Sequence, residues 1–241
     1  MIDTHCHVDQ FPDPEALVAE CEGKRTTVVA VTNLPSHYRM ALPHLRGICF
    51  IKPALGFHPL CAEENQGELA EFESLAKAAD FIGEIGMDFS REGKASRRTQ
   101  ERAFDLILEA ISDRQRFVTL HSRRAEKEVL DALTRYKIEK AVFHWYSGSE
   151  KRVEDILSAG HLLSFNPAMV RSEKGQRIVE MTPLDRILIE SDGPFVKIGR
   201  RAAKPSDLDT VYERVAEIQK ISLSKLSSAV QSNFSRVCSD Q

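Results

Sequence analysis

Eight short apolar runs, each followed by a stretch whose apolar residues recur at helical spacing, restrict this chain more than any other feature. The runs predict strands over Met1–His5, Thr26–Asn33, Ile48–Phe57, Phe81–Ile85, Phe117–His121, Ala141–Trp145, Leu162–Asn166 and Arg186–Ser191. Between them, helices are expected over 15–23, 68–79, 98–114, 126–136, 150–159 and 174–182, with one or two more across 206–232. In the 98–114 segment, Ala103, Leu106, Ile107, Ala110 and Ile111 fall on one face. Strands rich in Val, Ile and Phe without polar alternation suit a parallel sheet covered by helices. Eight such units predict an α/β protein of the (β/α)₈ TIM-barrel type, one domain over 1–241. An open doubly wound sheet is the competing topology, but its G-x-G-x-x-G turn is missing.

In such a barrel, chemistry gathers where strands end at their C-terminal side. Strand one ends in His5-Cys6-His7, whose alternate side chains point to the same side. His58 follows strand three, Glu84 lies within strand four ahead of Asp88, and His121 ends strand five just before Arg123. His144 falls in strand six and Asp192 follows strand eight. A single histidine at a strand end is more often a hydrogen-bonded structural residue. A carboxylate between Ile82 and Ile85 is harder to dismiss, because burying it unpaired is too costly. Asp192, after Ile187-Leu188-Ile189, has the same need. The joint pattern predicts a metal cluster of His5, His7, Glu84, His121, His144 and Asp192. His37, His44 and His161 read as ordinary surface residues.

With 33 basic and 36 acidic side chains, net charge −3, the chain lacks the strongly basic footprint of a bulk nucleic-acid binder. Five cysteines without a C-x-x-C pair, and an N-terminus lacking basic and apolar signal regions, predict reduced thiols and a cytoplasmic location. No apolar run approaches the roughly 20 residues that cross a bilayer, so no membrane association is expected. A G-x-S-x-G elbow, a P-loop and a Cys-rich zinc finger are all missing, which makes covalent catalysis and nucleotide-driven motors poor readings.

The H-x-H at His5 and His7, G-x-H-P at His58, G-E-x-G-x-D from Gly83, H-S-R at His121, H-x-x-S-G-S at His144 and E-S-D-x-P at Glu190 resemble the TatD family of metal-dependent deoxyribonucleases. The matches span almost the whole chain in that family's order. The resemblance implies a (β/α)₈ barrel with two or three divalent ions, Mg²⁺, Mn²⁺ or Zn²⁺, and hydrolysis of DNA, often from the 3′ end. It implies that His5, His7 and Asp192 hold one ion, that His121 and His144 hold another, and that Glu84 bridges them. Asp192 would also take the proton of the attacking water. His58 and Arg123 would contact substrate phosphate, and Asp88 would orient a ligand histidine. Around the mouth, Arg97, Arg98, Arg102, Lys197, Arg200, Arg201 and Lys204 are candidate phosphate contacts, and Trp145, Tyr146 and Phe195 candidate stacking residues.

The chain departs from the family pattern on the substrate side. The loop from His7 to Pro14 is short, Trp145-Tyr146 replaces the usual Cys-Phe, and Ala202-Ala203-Lys204-Pro205 replaces an Arg-Asn-x-Pro-like stretch. These features are similar to the TatD-like component of the bacterial Qat anti-phage defence system, which would imply an antiviral role with co-encoded partner proteins. Two other activities remain open at this point. One is metal-dependent hydrolysis of a small amide, ester or nucleobase. The other is a partner-dependent subunit whose metal site serves sensing or structure.

Overall fold

A computed structural model describes residues 1–238. Eight parallel strands occur in chain order: β1 (Ile2–Cys6), β2 (Thr27–Val31), β3 (Ile51–Ala54), β4 (Phe81–Gly86), β5 (Phe117–His121), β6 (Val142–Phe143), β7 (Leu162–Phe165) and β8 (Ile187–Ile189). Around them lie α1 (Pro14–Lys24), α2 (Pro35–Ala41), α3 (Leu69–Ala76), α4 (Arg97–Ile111), α5 (Glu126–Arg135), α6 (Glu150–Ser158), α7 (Pro167–Arg171), α8 (Glu173–Met181), α9 (Leu208–Ile218) and α10 (Leu223–Cys238). This is the (β/α)₈ arrangement, but its ladder runs as two arcs, β1-β2-β3 and β4-β5-β6-β7-β8. Where β3 meets β4, a bridge between Leu55 and Ile82 carries the contact, with Leu55 N–H donating to Phe81 and Gly83 N–H to Leu55, both at 2.9 Å. Where β8 meets β1, Asp192 N–H donates to the His5 carbonyl at 2.9 Å and Thr4 Oγ1 to the Ile189 carbonyl at 3.0 Å.

Several boundaries differ from the sequence expectation for visible reasons. β2 stops at Val31 because Thr32 and Asn33 spend their backbone elsewhere. Thr32 exchanges bonds with Gly83 and Glu84, and the Asn33 carbonyl accepts from His58. The loop after β2 therefore touches β4 directly at the barrel mouth. Gly56 permits that approach, since a Cβ there would lie 1.6 Å from the Thr32 carbonyl oxygen. Two short helices, α2 and α7, were not expected, and neither was the hairpin of β9 (Lys197–Ile198) with β10 (Arg201–Ala202).

The helices form where local signals agree. Asp13 caps α1 by accepting from Ala16 N–H at 2.9 Å, Pro14 opens it, and Arg25 ends it in the left-handed region. Ser149 caps α6 and Asn166 caps α7 in the same way. On α4 the buried face is Ala103, Phe104, Ile107, Leu108 and Ile111, whereas Leu106, expected on that face, is exposed. Each large side chain so buried contributes about 1.5–3 kcal/mol. At the barrel's N-terminal end, Phe81, Phe117 and Phe234 of α10 pack ring against ring. No helix among the described residues is long and apolar enough to cross a membrane.

Candidate metal centre

The strand ends deliver a buried carboxylate into a ring of imidazoles. Glu84 Oε1 lies 2.7 Å from His121 Nδ1, 2.8 Å from His144 Nε2 and 3.6 Å from His58 Nε2. Its Oε2 lies 3.2 Å from His7 Nε2 and 3.6 Å from His5 Nε2. Asp192 Oδ1 approaches His5 Nε2 and His7 Nε2, each at 3.9 Å. The His5 and His144 rings stack with centroids 3.8 Å apart and planes 8° from parallel.

Supporting residues fix how the rings are turned. Thr119 Oγ1 on β5 bonds His5 Nδ1 at 2.9 Å, which leaves Nε2 pointing at the carboxylates. Asp88 holds His121 Nε2 at 2.8 Å, and is itself held by Ser90 N–H at 2.7 Å. Glu190 is fully buried behind His144, 3.7 Å from its Nδ1, and accepts from Trp145 N–H, Asn166 Nδ2 and Ser164 Oγ. Asp3 accepts the backbone N–H groups of His5 and Ser191.

The electrostatics are those of an anion-rich pocket under strain. Burial alone would raise Glu84, but His58, His144 and His121 outweigh it and hold the carboxyl well below the usual range. Burial also opposes charge on His144, yet Glu84 and Glu190 drive its pKa well above normal. Asp192 is pushed well above normal by burial, with Glu190, Glu84 and Asp3 adding to it against His144. Burial and then the neighbouring His144 lower His5 to about 3.

His5 Nε2, His7 Nδ1 and His144 Nδ1 are buried without a hydrogen-bond partner, a costly arrangement that a cation facing the His5 nitrogen would relieve. Three groups have donor atoms within 4.8 Å of one another: His5–His144–Asp192, His5–His7–Glu84 and His58–Glu84–His121. Imidazole with carboxylate is a donor set for divalent transition ions, and the residues present fit such ions.

This geometry brings together all the sequence-expected ligands. His121 and His144 share Glu84 Oε1, His144 also lies within reach of His5 and Asp192, and His58, expected only to contact substrate, stands among the donors. Asp88 is placed against His121. Arg123 lies at the surface, loosely paired with Glu92 at 3.4 Å. Arg97 and Arg201 are engaged with Glu101, Glu128 and Asp207. Tyr146 is buried with its hydroxyl donating to the Ser149 carbonyl, so it does not present a stacking face. His161, expected at the surface, is 2% exposed, because its Nδ1 accepts the Ala141 N–H and its ring packs on Phe143. His44 is exposed as expected. Asp3 escaped the sequence reading and Glu190 entered it only within the E-S-D-x-P motif, although a carboxylate bordering an apolar run was the signal that picked out Asp192.

Comparison with known proteins agrees with this architecture. A human protein, deoxyribonuclease TATDN3, is 25% identical over 94% of this chain and 90% of its own length. A Pectobacterium carotovorum protein described as 3′-5′ ssDNA/RNA exonuclease TatD is 27% identical over 76% of this chain and 75% of its own. The crystal structure of the TatD homologue YJJV from Escherichia coli K12 superposes with a TM-score of 0.87 over 98% of this chain and 97% of that one, at 23% identity, and so shares the fold. The model of the family described as TatD related DNase matches residues 2–239. With that match running from the first strand past the last described helix, the chain belongs to the TatD-related DNase family of metal-dependent hydrolases.

Proposed function

We propose that this protein hydrolyses DNA phosphodiester bonds, working from strand ends, with two or three divalent ions held by His5, His7, His58, Glu84, His121, His144 and Asp192. The observation that carries the reading is Glu84, one carboxylate facing five imidazoles at the barrel mouth. Divalent ions bound there would supply Lewis acidity, lowering the pKa of a water and neutralising phosphate charge. Glu84 would be shared between donor groups, as its two oxygens already divide the histidines into sets. Asp192 would accept the proton of the attacking water, since its carboxylate stands beside His5 and His7 within the donor cluster. Thr119, Asp88 and Glu190 would hold His5, His121 and His144 in the orientation this needs. Arg123 would contact phosphate from the rim.

Action on single strands from the 3′ end is proposed by likeness to the Pectobacterium exonuclease, whose name also includes RNA. Mg²⁺, Mn²⁺ and Zn²⁺ all remain candidates for the native ion. A cytoplasmic setting fits the free thiols of Cys6, Cys21, Cys49, Cys61 and Cys238. An anti-phage role with co-encoded partners rests on the short loop from His7 to Pro14 and the substitutions around Trp145 and Ala202.

The test is digestion of 3′- and 5′-labelled single-stranded DNA by the ion-loaded protein. Stepwise shortening is expected from the wild type and none from Asp192→Asn, with the label lost first giving polarity. Glu84→Ala should lose bound ion as well as activity. Intact DNA with every ion tried would transfer the site to a small amide, ester or nucleobase substrate.

A further inference from the structure

Two flat rings stand open at the edge of the cluster. Among the large apolar side chains exposed in the described residues, Trp145 at 39% and Phe195 at 52% are the aromatic ones, and both belong to mouth loops. Each exposes apolar surface beside a candidate ligand, Trp145 next to His144 in the chain and Phe195 against His7.

Neither ring is out by default. Trp145 has φ +35°, the left-handed region that a bulky side chain enters only when held there. Its N–H donates to Glu190 Oε1 at 3.0 Å, and that carboxylate also stands behind His144. The turn sends Trp145 outward and the next residue, Tyr146, inward to its Ser149 partner. Phe195 is set by a turn in which Val196 N–H donates to the Asp192 carbonyl at 2.9 Å. Its ring meets His7 edge to face, centroids 4.8 Å apart. One ring is thus one residue from a candidate ligand, and the other rests directly on a second.

We propose that Trp145 and Phe195 form a nucleobase subsite, stacking the unpaired bases on the nucleotides that flank the phosphodiester held at the cluster. The inference rests on the phosphodiesterase reading above and adds the ligand that its rim would take. Every base offers a π-face, so such a platform tolerates sequence and needs unpaired bases. Paired bases in a duplex present no free face to it.

The chain contains a single tryptophan, so its indole emission belongs to Trp145 alone. The experiment titrates the divalent-loaded protein with a short single-stranded oligonucleotide carrying cleavage-resistant phosphorothioate linkages. A matched oligonucleotide with abasic terminal nucleotides and a blunt duplex serve as controls. Excitation is at the red edge of the absorption band, where tyrosine does not contribute. Saturable quenching by the normal strand, and little by the abasic strand or the duplex, is expected. By anisotropy of a labelled strand, Trp145→Ala and Phe195→Ala should each weaken binding on the order of tenfold, with Trp145→Phe restoring most of it. Neither alanine change should alter binding of the abasic strand. Equal losses on normal and abasic strands would make the rings structural and overturn the subsite. Unchanged emission would overturn it too, and leave the two rings as a protein-docking patch. Because the titration involves no cleavage, quenching without hydrolysis would spare the subsite and sink the nuclease reading. Hydrolysis without quenching would do the reverse.

Discussion

Glu190 shows how much of the candidate centre depends on a residue one layer back. Its carboxylate gathers Ser164, Asn166 and the Trp145 backbone while facing His144, so its charge and its acceptor geometry serve different neighbours. Glu190→Gln keeps an acceptor but removes the charge. Titration of ion content should show affinity falling roughly 10- to 100-fold, with little change in far-ultraviolet circular dichroism. His161 makes the complementary case away from the centre. Burial lowers it from 6.5 to about 4, so as pH falls the unfolded chain takes up the proton first. Stability held above pH 6.5 should therefore be lost between about 6.5 and 4, by about 3 kcal/mol. Urea unfolding across that window should show a shallower decline for His161→Gln than for wild type. Residues that betray themselves in the sequence are those whose chemistry contradicts their surroundings. Glu84 between isoleucines was such a residue, and so were His5 and His7 at a strand end. Which donors stand within reach of one another was hidden, because it depends on how far around the barrel each strand has turned. Thr119, an ordinary strand residue by type, gave no sign that it steers His5.

At the scale of elements, what could be read was length and periodicity. α4 and β5 stood where the spacing put them, β5 to the residue and α4 within a few, because amphipathic spacing over four turns leaves little freedom. α2 and α7 are seven and five residues long, too short for a period to show, and each begins at a proline that reads equally well as a turn. β6 has only two residues in the ladder, so its apolar neighbours overstated it. The joints between elements are set by side chains that no pattern reveals. Arg116 is buried at the start of the approach to β5, with its guanidinium donating to the carbonyls of Ala76, Ala79, Ile111 and Arg114 and to Asp113. It thereby fastens the C-terminal ends of α3 and α4 to the barrel. Arg116→Ala should cost about 3–5 kcal/mol in urea unfolding, since it strands several buried acceptors at once. A loss under 1 kcal/mol would mean that water replaces the guanidinium.

For the whole molecule, the centre joins what the backbone leaves apart. His5 and His7 come from the arc of β1 to β3, while Glu84, His121, His144 and Asp192 come from the other arc and its loops. Ions bound to both would stabilise only the closed arrangement. Chelation should lower Tm on the order of 5–10 °C relative to protein kept well above its ion Kd, and readdition of Zn²⁺ or Mn²⁺ should restore it. Glu84→Ala should melt at one temperature with or without chelator; an unchanged wild-type Tm would deny the ions any part in closure. The interrupted ladder carries a consequence for breathing. Amides at the joints, such as those of Leu55, Thr32 and Asp192, sit where separation of the arcs would expose them to solvent. Deuterium should enter these first, and any opening that admits it also pulls His5 and His7 away from Glu84. In this protein the exchange rate of a handful of backbone hydrogens would be a gauge of how often the site exists at all.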